Sequence, residues 1–216
     1  VVIDKTKPTS FTVDYPFHIT SDANGKVYVS NHGESRYVTT FKGTNWWYSY
    51  INTIENGKVE NITPSGLESV NSASPNYQRK DGKPYTSYYI VFDPEDPETY
   101  YLATYWDGVY KIKDGKQVAH YHENNSTLLA IYGCRVFGIA FDKENNLWCV
   151  NEVNAGKGSP ALHILPAEAR KKETTTKEDW ISIDLNPFIG SRDVRLLICK
   201  KSNMIFICDG IFSGPI

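Results

Sequence analysis

The sequence contains a repeated pattern of two short strands. The side chains best suited to bind a ligand lie at the end of the second strand or just before the first. After a second strand come Asn31, Tyr105, Trp106, Asp107, Asn151, Glu152 and Asp209, with His32 and Asn154 beside them. Before a first strand come Arg135 and Arg192, with Tyr15 and Asp193. Aromatic rings can cover the C–H faces of a sugar while polar groups bind its hydroxyls, and arginine can hold a carboxylate or phosphate. The set predicts a ligand-binding role.

Two further groups of residues could do chemistry. His120 and His122 lie two positions apart, which places both rings on one face of a strand, as a metal site could require. They fall on a predicted outermost strand, where exposed polar alternation is usual, so no metal is predicted there. Trp46, Trp47 and Tyr48 could form an aromatic contact patch. Because adjacent strand residues face opposite ways, about half of these rings must pack inward.

Composition excludes several partners. A net charge of −2 and an isoelectric point near 6.2 do not indicate a nucleic-acid-binding surface, because such a surface requires clustered Lys and Arg. No stretch approaches the ~20 apolar residues of a membrane span. The cysteines form no Cys-x-x-Cys pair and are predicted to be free, mostly buried thiols: Cys134, Cys149, Cys199 and Cys208.

Four stretches share one register, which fixes where the candidate residues lie. Phe17 to Asn31, Gly138 to Asn151 and Leu196 to Asp209 each contain a short apolar strand, a polar turn, a second apolar strand and a closing polar residue. Tyr89 to Thr104 repeats the pattern with two extra residues. Hairpin units that recur every ~50 to 70 residues are typical of a β-propeller, in which no unit buries its face alone.

The predicted fold class is therefore all-β: a β-propeller segment of about three and a half four-stranded antiparallel blades within a larger propeller. In such a blade, the loop into the first strand and the loop between the second and third strands lie at the same end, so the candidates should share one face. The predicted bounds are residues 1–14 for the end of a preceding blade, 15–63 for a blade, 64–84 for a loop insertion, 85–129 and 130–186 for two blades, and 187–216 for the first half of a blade.

Local signals refine this picture. An Asn-Gly turn at 56–57 and an Asp-Gly turn at 114–115 predict hairpins. Residues 167–179, rich in charge and threonine, predict either a solvated loop or a short helix. The repeat aspartates are predicted to be structural, because a short carboxylate at a tight turn accepts backbone N–H groups: Asp22, Asp93 and Asp142. Tyr28, Tyr101 and Trp148 are predicted to pack between blades.

At the motif level, residues 141–151 (Phe-Asp-Lys-Glu-Asn-Asn-Leu-Trp-Cys-Val-Asn) and 22–31 resemble the repeat of the two-component regulator propeller family. Residues 101–112 and 124–128 resemble its PorZ-like branch, associated with type IX secretion, more than the periplasmic sensor propellers of hybrid two-component systems. The fourth copy departs from the repeat, with Lys200 for the aspartate and Met204-Ile205 for the Leu-Trp pair. The resemblance implies a non-catalytic propeller, periplasmic or at the cell surface, that recognises a glycan or an envelope protein. It is also compatible with a dimer of the parent protein.

Catalysis is the alternative hypothesis. Asn151, Glu152 and Asp209 could bind calcium, as in a lactonase-like, metal-dependent propeller hydrolase. Arg135, Arg192 and Tyr15 could serve a sialidase-like reaction, but the Ser-x-Asp-x-Gly-x-x-Trp box is missing. No Ser-His-Asp order, phosphate loop or paired-carboxylate spacing stands out. The sequence thus predicts a recognition module without catalysis, and calcium is the one cofactor that it leaves open. A pure scaffold is a third hypothesis.

Overall fold

The computed structural model describes the residues that form most of the repeated strands and the turns between them. All structural statements below concern these residues: 16–31, 51–56, 58–62, 64, 67, 87–104, 107–130, 133–151, 162–185, 193–199, 202 and 204–210. The candidates Tyr105, Trp106, Glu152 and Arg192, and the aromatic residues 46–48, lie outside them.

The strands form four antiparallel sheets, each made of consecutive strands in chain order. Sheet 1 contains β1 (Pro16–Ser21), β2 (Val27–Asn31), β3 (Ile51–Glu55) and β4 (Lys58–Asn61). Sheet 2 contains β5 (Ser87–Phe92), β6 (Thr99–Thr104), β7 (Val109–Lys113) and β8 (Lys116–Tyr121). Sheet 3 contains β9 (Val136–Phe141), β10 (Leu147–Asn151), β11 (Leu162–Leu165) and β12 (Ile181–Ile183). Sheet 4 contains β13 (Asp193–Cys199) and β14 (Met204–Gly210).

The first strands of successive sheets pack against one another. β1 contacts β5, β5 contacts β9, and β9 contacts β13. The buried apolar side chains form clusters between adjacent sheets, as when Leu102 and Tyr110 of sheet 2 pack with Ile51 of sheet 1. Because sheets 2 and 3 each bury one face against the sheet before and the other against the sheet after, the four sheets are successive blades. The predicted all-β propeller architecture is confirmed.

The two hairpin turns predicted from Asn-Gly and Asp-Gly are present. Asn56 follows β3 with a φ of 49°, and Asp114 and Gly115 connect β7 to β8 with φ of 51° and 70°. Positive φ at these positions is the conformation that Asn, Asp and Gly adopt most readily, and it matches the twist of the flanking strands.

A β-bulge recurs at the same place in three of the sheets. Phe17, Tyr88 and Phe137 are the extra residues on the first strand, opposite the end of the second strand. The β13–β14 pairing is regular. A bulge changes the direction of the strand at its end. The first three sheets therefore have a similar backbone course at the end where the candidate residues are expected.

Sheet 4 corrects the predicted register of the fourth repeat. Phe141 pairs with Leu147, and five residues separate them, whereas Cys199 pairs with Met204, and four residues separate them. Ile205 packs towards sheet 3, as Leu147 packs towards sheet 2. Ile205 and Phe206, and not Met204 and Ile205, therefore hold the positions of the Leu-Trp pair.

Residues 167–179 form a largely exposed connection with short helical turns, as predicted, but a few of their side chains are buried. They contain two short 3-10 turns, Ala169–Lys171 and Lys177–Asp179, and bury the side chains of Arg170 and Thr175. These turns are the helical elements of the described part of the chain, where no helix has the length and apolar character needed to cross a membrane.

Candidate functional site

Three of the predicted ligand-binding residues lie in segments that meet at one end of sheets 2 and 3. Asp107 lies between β6 and β7, Arg135 directly precedes β9, and Asn151 ends β10. Asn31 ends β2 and Asp209 lies near the end of β14, at the matching places in sheets 1 and 4. We call the described residues at this end the loop-end cluster: 104, 107–108, 129–130, 133–135 and Asn151.

The described residues of the connection between β6 and β7 are held by hydrogen bonds among themselves. The hydroxyl of Thr104 donates to the carbonyl of Gly108 at 3.0 Å and accepts from the backbone N–H of Asp107 at 3.0 Å. Gly108 has a φ of 74°, and a Cβ there would lie 2.1 Å from the carbonyl oxygen of Tyr121. Only glycine fits this position, both for its backbone conformation and for the space beside it.

A backbone hydrogen bond ties sheet 2 to the segment before sheet 3. The N–H of Gly108 donates to the carbonyl of Cys134 at 2.7 Å, and Asp107 and Cys134 form a parallel β-bridge. Burial raises the pKa of the Cys134 thiol well above its usual range, which keeps it protonated and unreactive. The loop ends of adjacent blades are thus joined directly, and Arg135 is the next residue along the chain.

Asn151 fixes the segment that carries Arg135. Its Nδ2 donates to the carbonyls of Leu129 at 3.2 Å and of Arg135 at 2.5 Å, and its Oδ1 accepts from the N–H of Leu129 at 2.5 Å. The side chain is fully buried. This geometry gives Asn151 a positioning role, which differs from the predicted direct contact with a ligand, because its amide groups are engaged by the backbone.

Asp107 is also buried, at 2% exposure, whereas Arg135 is partly exposed. Of the candidates whose side chains the structure describes, Arg135 is therefore the one best placed to reach a ligand in solution. The aromatic residues 105 and 106, which precede Asp107 in the same connection, lie outside the described residues.

His120 supports the loop-end cluster from the outermost strand of sheet 2, a role that the sequence reasoning missed. Its Nε2 donates to the backbone carbonyl of Asp107, and its ring stacks on Tyr110 with centroids 4.1 Å apart. Burial lowers the pKa of His120 to about 4, although the bond to the Asp107 carbonyl opposes the shift. The ring is therefore neutral at neutral pH, with its proton on Nε2.

The His-x-His pair borders a cavity of about 230 Å³ between β8 and residues 173–175. The ring centroids of His120 and His122 lie 4.8 Å apart, so the predicted shared face is present. Within the described residues, no group of three His, Cys, Asp or Glu side chains is arranged to hold a metal ion.

At the opposite end of the sheets, the repeat aspartates are structural, as predicted. Asp22 accepts from the N–H groups of Asn24 and Lys26 at 2.9 Å and from the hydroxyl of Tyr28 at 3.2 Å. The other two copies repeat this arrangement, with Tyr101 donating to Asp93 and the Nε1 of Trp148 donating to Asp142. In sheets 1, 2 and 3, the aromatic residue of the second strand thus both packs between blades and holds the turn.

Arg170 is the main residue at this end that the sequence reasoning missed. Its guanidinium donates to Asp93 at 2.5 Å, to the Tyr101 hydroxyl at 3.0 Å and to Glu95 at 3.0 Å, and lies 4.8 Å from the centroid of the Phe141 ring. Burial alone would lower the pKa of Arg170, but Tyr101 and Asp93 outweigh it and raise it. Arg170 therefore acts as a clip: its charged guanidinium links sheet 3 to sheet 2. The residues around it in the sequence do not predict this contact.

Comparison with solved structures shows similarity to a bacterial surface component and to the extracellular domain of a two component system. PorZ, an essential bacterial surface component of the type-IX secretion system of Porphyromonas gingivalis, aligns with 86% of this chain at 16% identity and a TM-score of 0.55. The extracellular domain of the hybrid two component system BT4673 from B. thetaiotaomicron aligns with 90% at 15% identity and a TM-score of 0.58.

The chain spans only 22% of the length of each of these structures. At this identity the likeness establishes the fold, and it agrees with the resemblance seen in the repeat residues. No family model matches the chain, and no curated protein matches it.

Proposed function

We propose that this chain is part of a non-catalytic, extracytoplasmic β-propeller recognition module that binds a glycan or an envelope protein partner, in envelope sensing or in type IX secretion. The observation that carries the proposal is the hydrogen bond between Gly108 and Cys134, which brings the loop ends of two adjacent blades together. A composite surface at the ends of several blades is the usual place for a ligand to bind a propeller, because loops from a rigid scaffold can vary without unfolding it.

Arg135 is the residue most directly suited to the role. Asn151 holds the carbonyl of Arg135 and both backbone groups of Leu129, so the backbone of these two residues is held in place before any ligand arrives. A positioned guanidinium can donate to two oxygens of one carboxylate, or to sugar hydroxyls. Pre-organisation of this kind reduces the entropy lost on binding.

The location and the absence of catalysis rest on the similar structures. They are a bacterial surface component and the extracellular domain of a hybrid two component system, which supports an extracytoplasmic place for this chain. The alternative calcium-dependent hydrolase requires Asn151 as an oxygen ligand, and its Oδ1 already accepts from the N–H of Leu129. We therefore place the recognition function ahead of the hydrolase.

A calorimetric titration of the intact protein with a panel of envelope glycans, and separately with calcium, tests the proposal. Trp106→Ala and Arg135→Ala should each weaken glycan binding at least about tenfold, which corresponds to about 1.4 kcal/mol. Lys143→Ala is the matched control, because Lys143 is an exposed cation in the turn between β9 and β10, away from the loop-end cluster. Calcium binding without glycan binding would favour the hydrolase instead.

A further inference from the structure

The turn that joins β1 to β2 has the same form as the turn that joins β9 to β10, but its sequence differs. In both turns the carbonyl of the repeat aspartate accepts an N–H at 3.2 Å, from Gly25 in sheet 1 and from Asn145 in sheet 3. These two donors have left-handed backbones, with φ of 80° and 65°. Glu144 precedes Asn145, whereas Asn24 precedes Gly25. Sheet 1 therefore has an Asn-Gly pair where sheet 3 has Glu-Asn.

An asparagine followed by glycine can lose its side-chain amide without an enzyme. The backbone nitrogen of Gly25 attacks the side-chain carbonyl carbon of Asn24 and forms a C–N bond. The amide nitrogen then leaves as ammonia, with the proton from the backbone nitrogen. Water opens the resulting succinimide at one of its two carbonyls, which leaves aspartate or isoaspartate at position 24. A side chain on the following residue hinders the attack, and glycine has none.

The structure leaves room for this reaction at the β1–β2 turn. Asn24 and Gly25 are both exposed, and apart from the adjoining residues no described atom lies within 4 Å of where a Cβ on Gly25 would stand. The side-chain amide of Asn24 has no hydrogen-bond partner among the described residues. The bond from the Gly25 N–H to Asp22, at 3.2 Å, is at the long end of the usual range. Exposed turns also open more readily than core strands, which frees this nitrogen for attack.

Isoaspartate at position 24 would lengthen the backbone of the turn by one carbon atom. Asp22 accepts from the N–H groups of Asn24 and Lys26, both at 2.9 Å, and from the Tyr28 hydroxyl at 3.2 Å. The extra atom would lie between Asn24 and Lys26, so it would displace the Lys26 N–H from Asp22. The ring of Tyr28 lies edge-to-face on Phe92 of sheet 2, with centroids 4.7 Å apart. A change in this turn therefore reaches the packing between sheets 1 and 2.

We propose that Asn24 is a site of spontaneous deamidation, and that its conversion to isoaspartate loosens the β1–β2 turn and the contact between sheets 1 and 2. The reaction is independent of ligand recognition, because it needs only water and the groups of the turn. Sheet 3 carries the exposed carboxylate of Glu144 at the matching position. An ordinary aspartate at position 24 is therefore tolerated, and isoaspartate is the product that destabilises.

Incubation of the intact protein at body temperature and mildly alkaline pH, followed by peptide mapping, tests the site. Alkaline pH speeds the reaction because it removes the proton from the attacking nitrogen. Asn24 should deamidate at least about tenfold faster than Asn145, which is followed by a residue with a side chain. Gly25→Asn reproduces the residue that sheet 3 has at this position, so it should keep the left-handed turn and slow the loss at least about tenfold. Equal rates at Asn24 and Asn145, or an unchanged rate in Gly25→Asn, would overturn the proposal.

Thermal unfolding of the modified protein tests the consequence. Molecules that carry isoaspartate only at position 24 are isolated by chromatography, so the second Asn-Gly pair, at 56–57, does not contribute. Their Tm should be lower than that of Asn24→Asp by about 2 °C or more. Asn24→Asp has the same charge with a normal backbone, and its Tm should match that of the unmodified protein. Equal Tm values for the isoaspartate form and Asn24→Asp would overturn the loosening of the turn.

Discussion

Removing the guanidinium of Arg170 should weaken the junction between sheets 2 and 3 more than any surface ion pair would. Arg170 is 2% exposed, and its partner Asp93 is also buried. In Arg170→Met, which roughly preserves the packing volume, Asp93 keeps its bonds from the N–H of Glu95 and the hydroxyl of Tyr101. It loses the guanidinium that is bonded to it, so its buried negative charge keeps only these two bonds and the weaker attraction of Lys111.

The expected cost follows from these contacts. Breaking a buried ion pair by removing one partner typically costs about 3 to 5 kcal/mol, and the two bonds that Asp93 keeps favour the lower value, about 3 kcal/mol. The bridge from Arg170 to Glu95 adds little, because the Glu95 side chain is 44% exposed and solvent screens it. For a domain of this size, about 3 kcal/mol lowers Tm by about 6 to 12 °C.

Urea unfolding followed by tryptophan fluorescence would measure the loss, with Glu95→Gln as the control for the exposed bridge. Glu95→Gln should cost less than about 1 kcal/mol. The double variant Arg170→Met/Asp93→Asn should be more stable than Arg170→Met alone, because no charge is then left buried. If Arg170→Met unfolded within about 0.5 kcal/mol of the native protein, the assignment of Arg170 as a clip between blades would be refuted.

Three further perturbations probe the loop-end cluster. Gly108→Ala should cost more than about 2 kcal/mol, because its Cβ would clash with the Tyr121 carbonyl; a neutral urea midpoint would count against the geometry. Asn151→Ala should cost about 1 to 3 kcal/mol, because buried backbone groups at Leu129 and Arg135 lose their partners; differential scanning calorimetry would detect this. The pKa of His120 falls from 6.5 to about 4 on folding, so the unfolded chain binds more protons between these pH values. Stability should therefore fall by up to about 3 kcal/mol as pH drops from 6.5 to 4, and an equally steep loss in His120→Gln would contradict this.

Local patterns were enough to predict the architecture. Alternating apolar residues bounded by Asn-Gly and Asp-Gly turns specify hairpins, and the repeated register specifies that several such units stack. The repeat aspartates could be assigned to turns because their N–H partners lie within four residues of Asp22 and Asp142. These features depend on residues that are close together in the chain, so they can be predicted from the sequence.

The contacts that decide the roles of single residues are long-range. Arg170 meets Asp93 across 77 positions of sequence, and no spacing rule links a residue in a charged, threonine-rich stretch to that turn. His120 reaches Asp107 because β8 passes beside the connection from β6 to β7, which only the folded sheet shows. The role of Asn151 likewise depends on its contacts with Leu129 and Arg135, which lie 22 and 16 positions away in sequence.

The central claim is that ligand recognition occurs at the loop-end cluster. The most direct measurement is the affinity of the intact protein for the envelope glycan panel, compared between Arg135→Ala at this cluster and Lys143→Ala at the opposite end of the same sheet. We predict that Arg135→Ala weakens glycan binding at least about tenfold while Lys143→Ala leaves it unchanged. Equal affinities for the two variants would contradict recognition at the loop-end cluster.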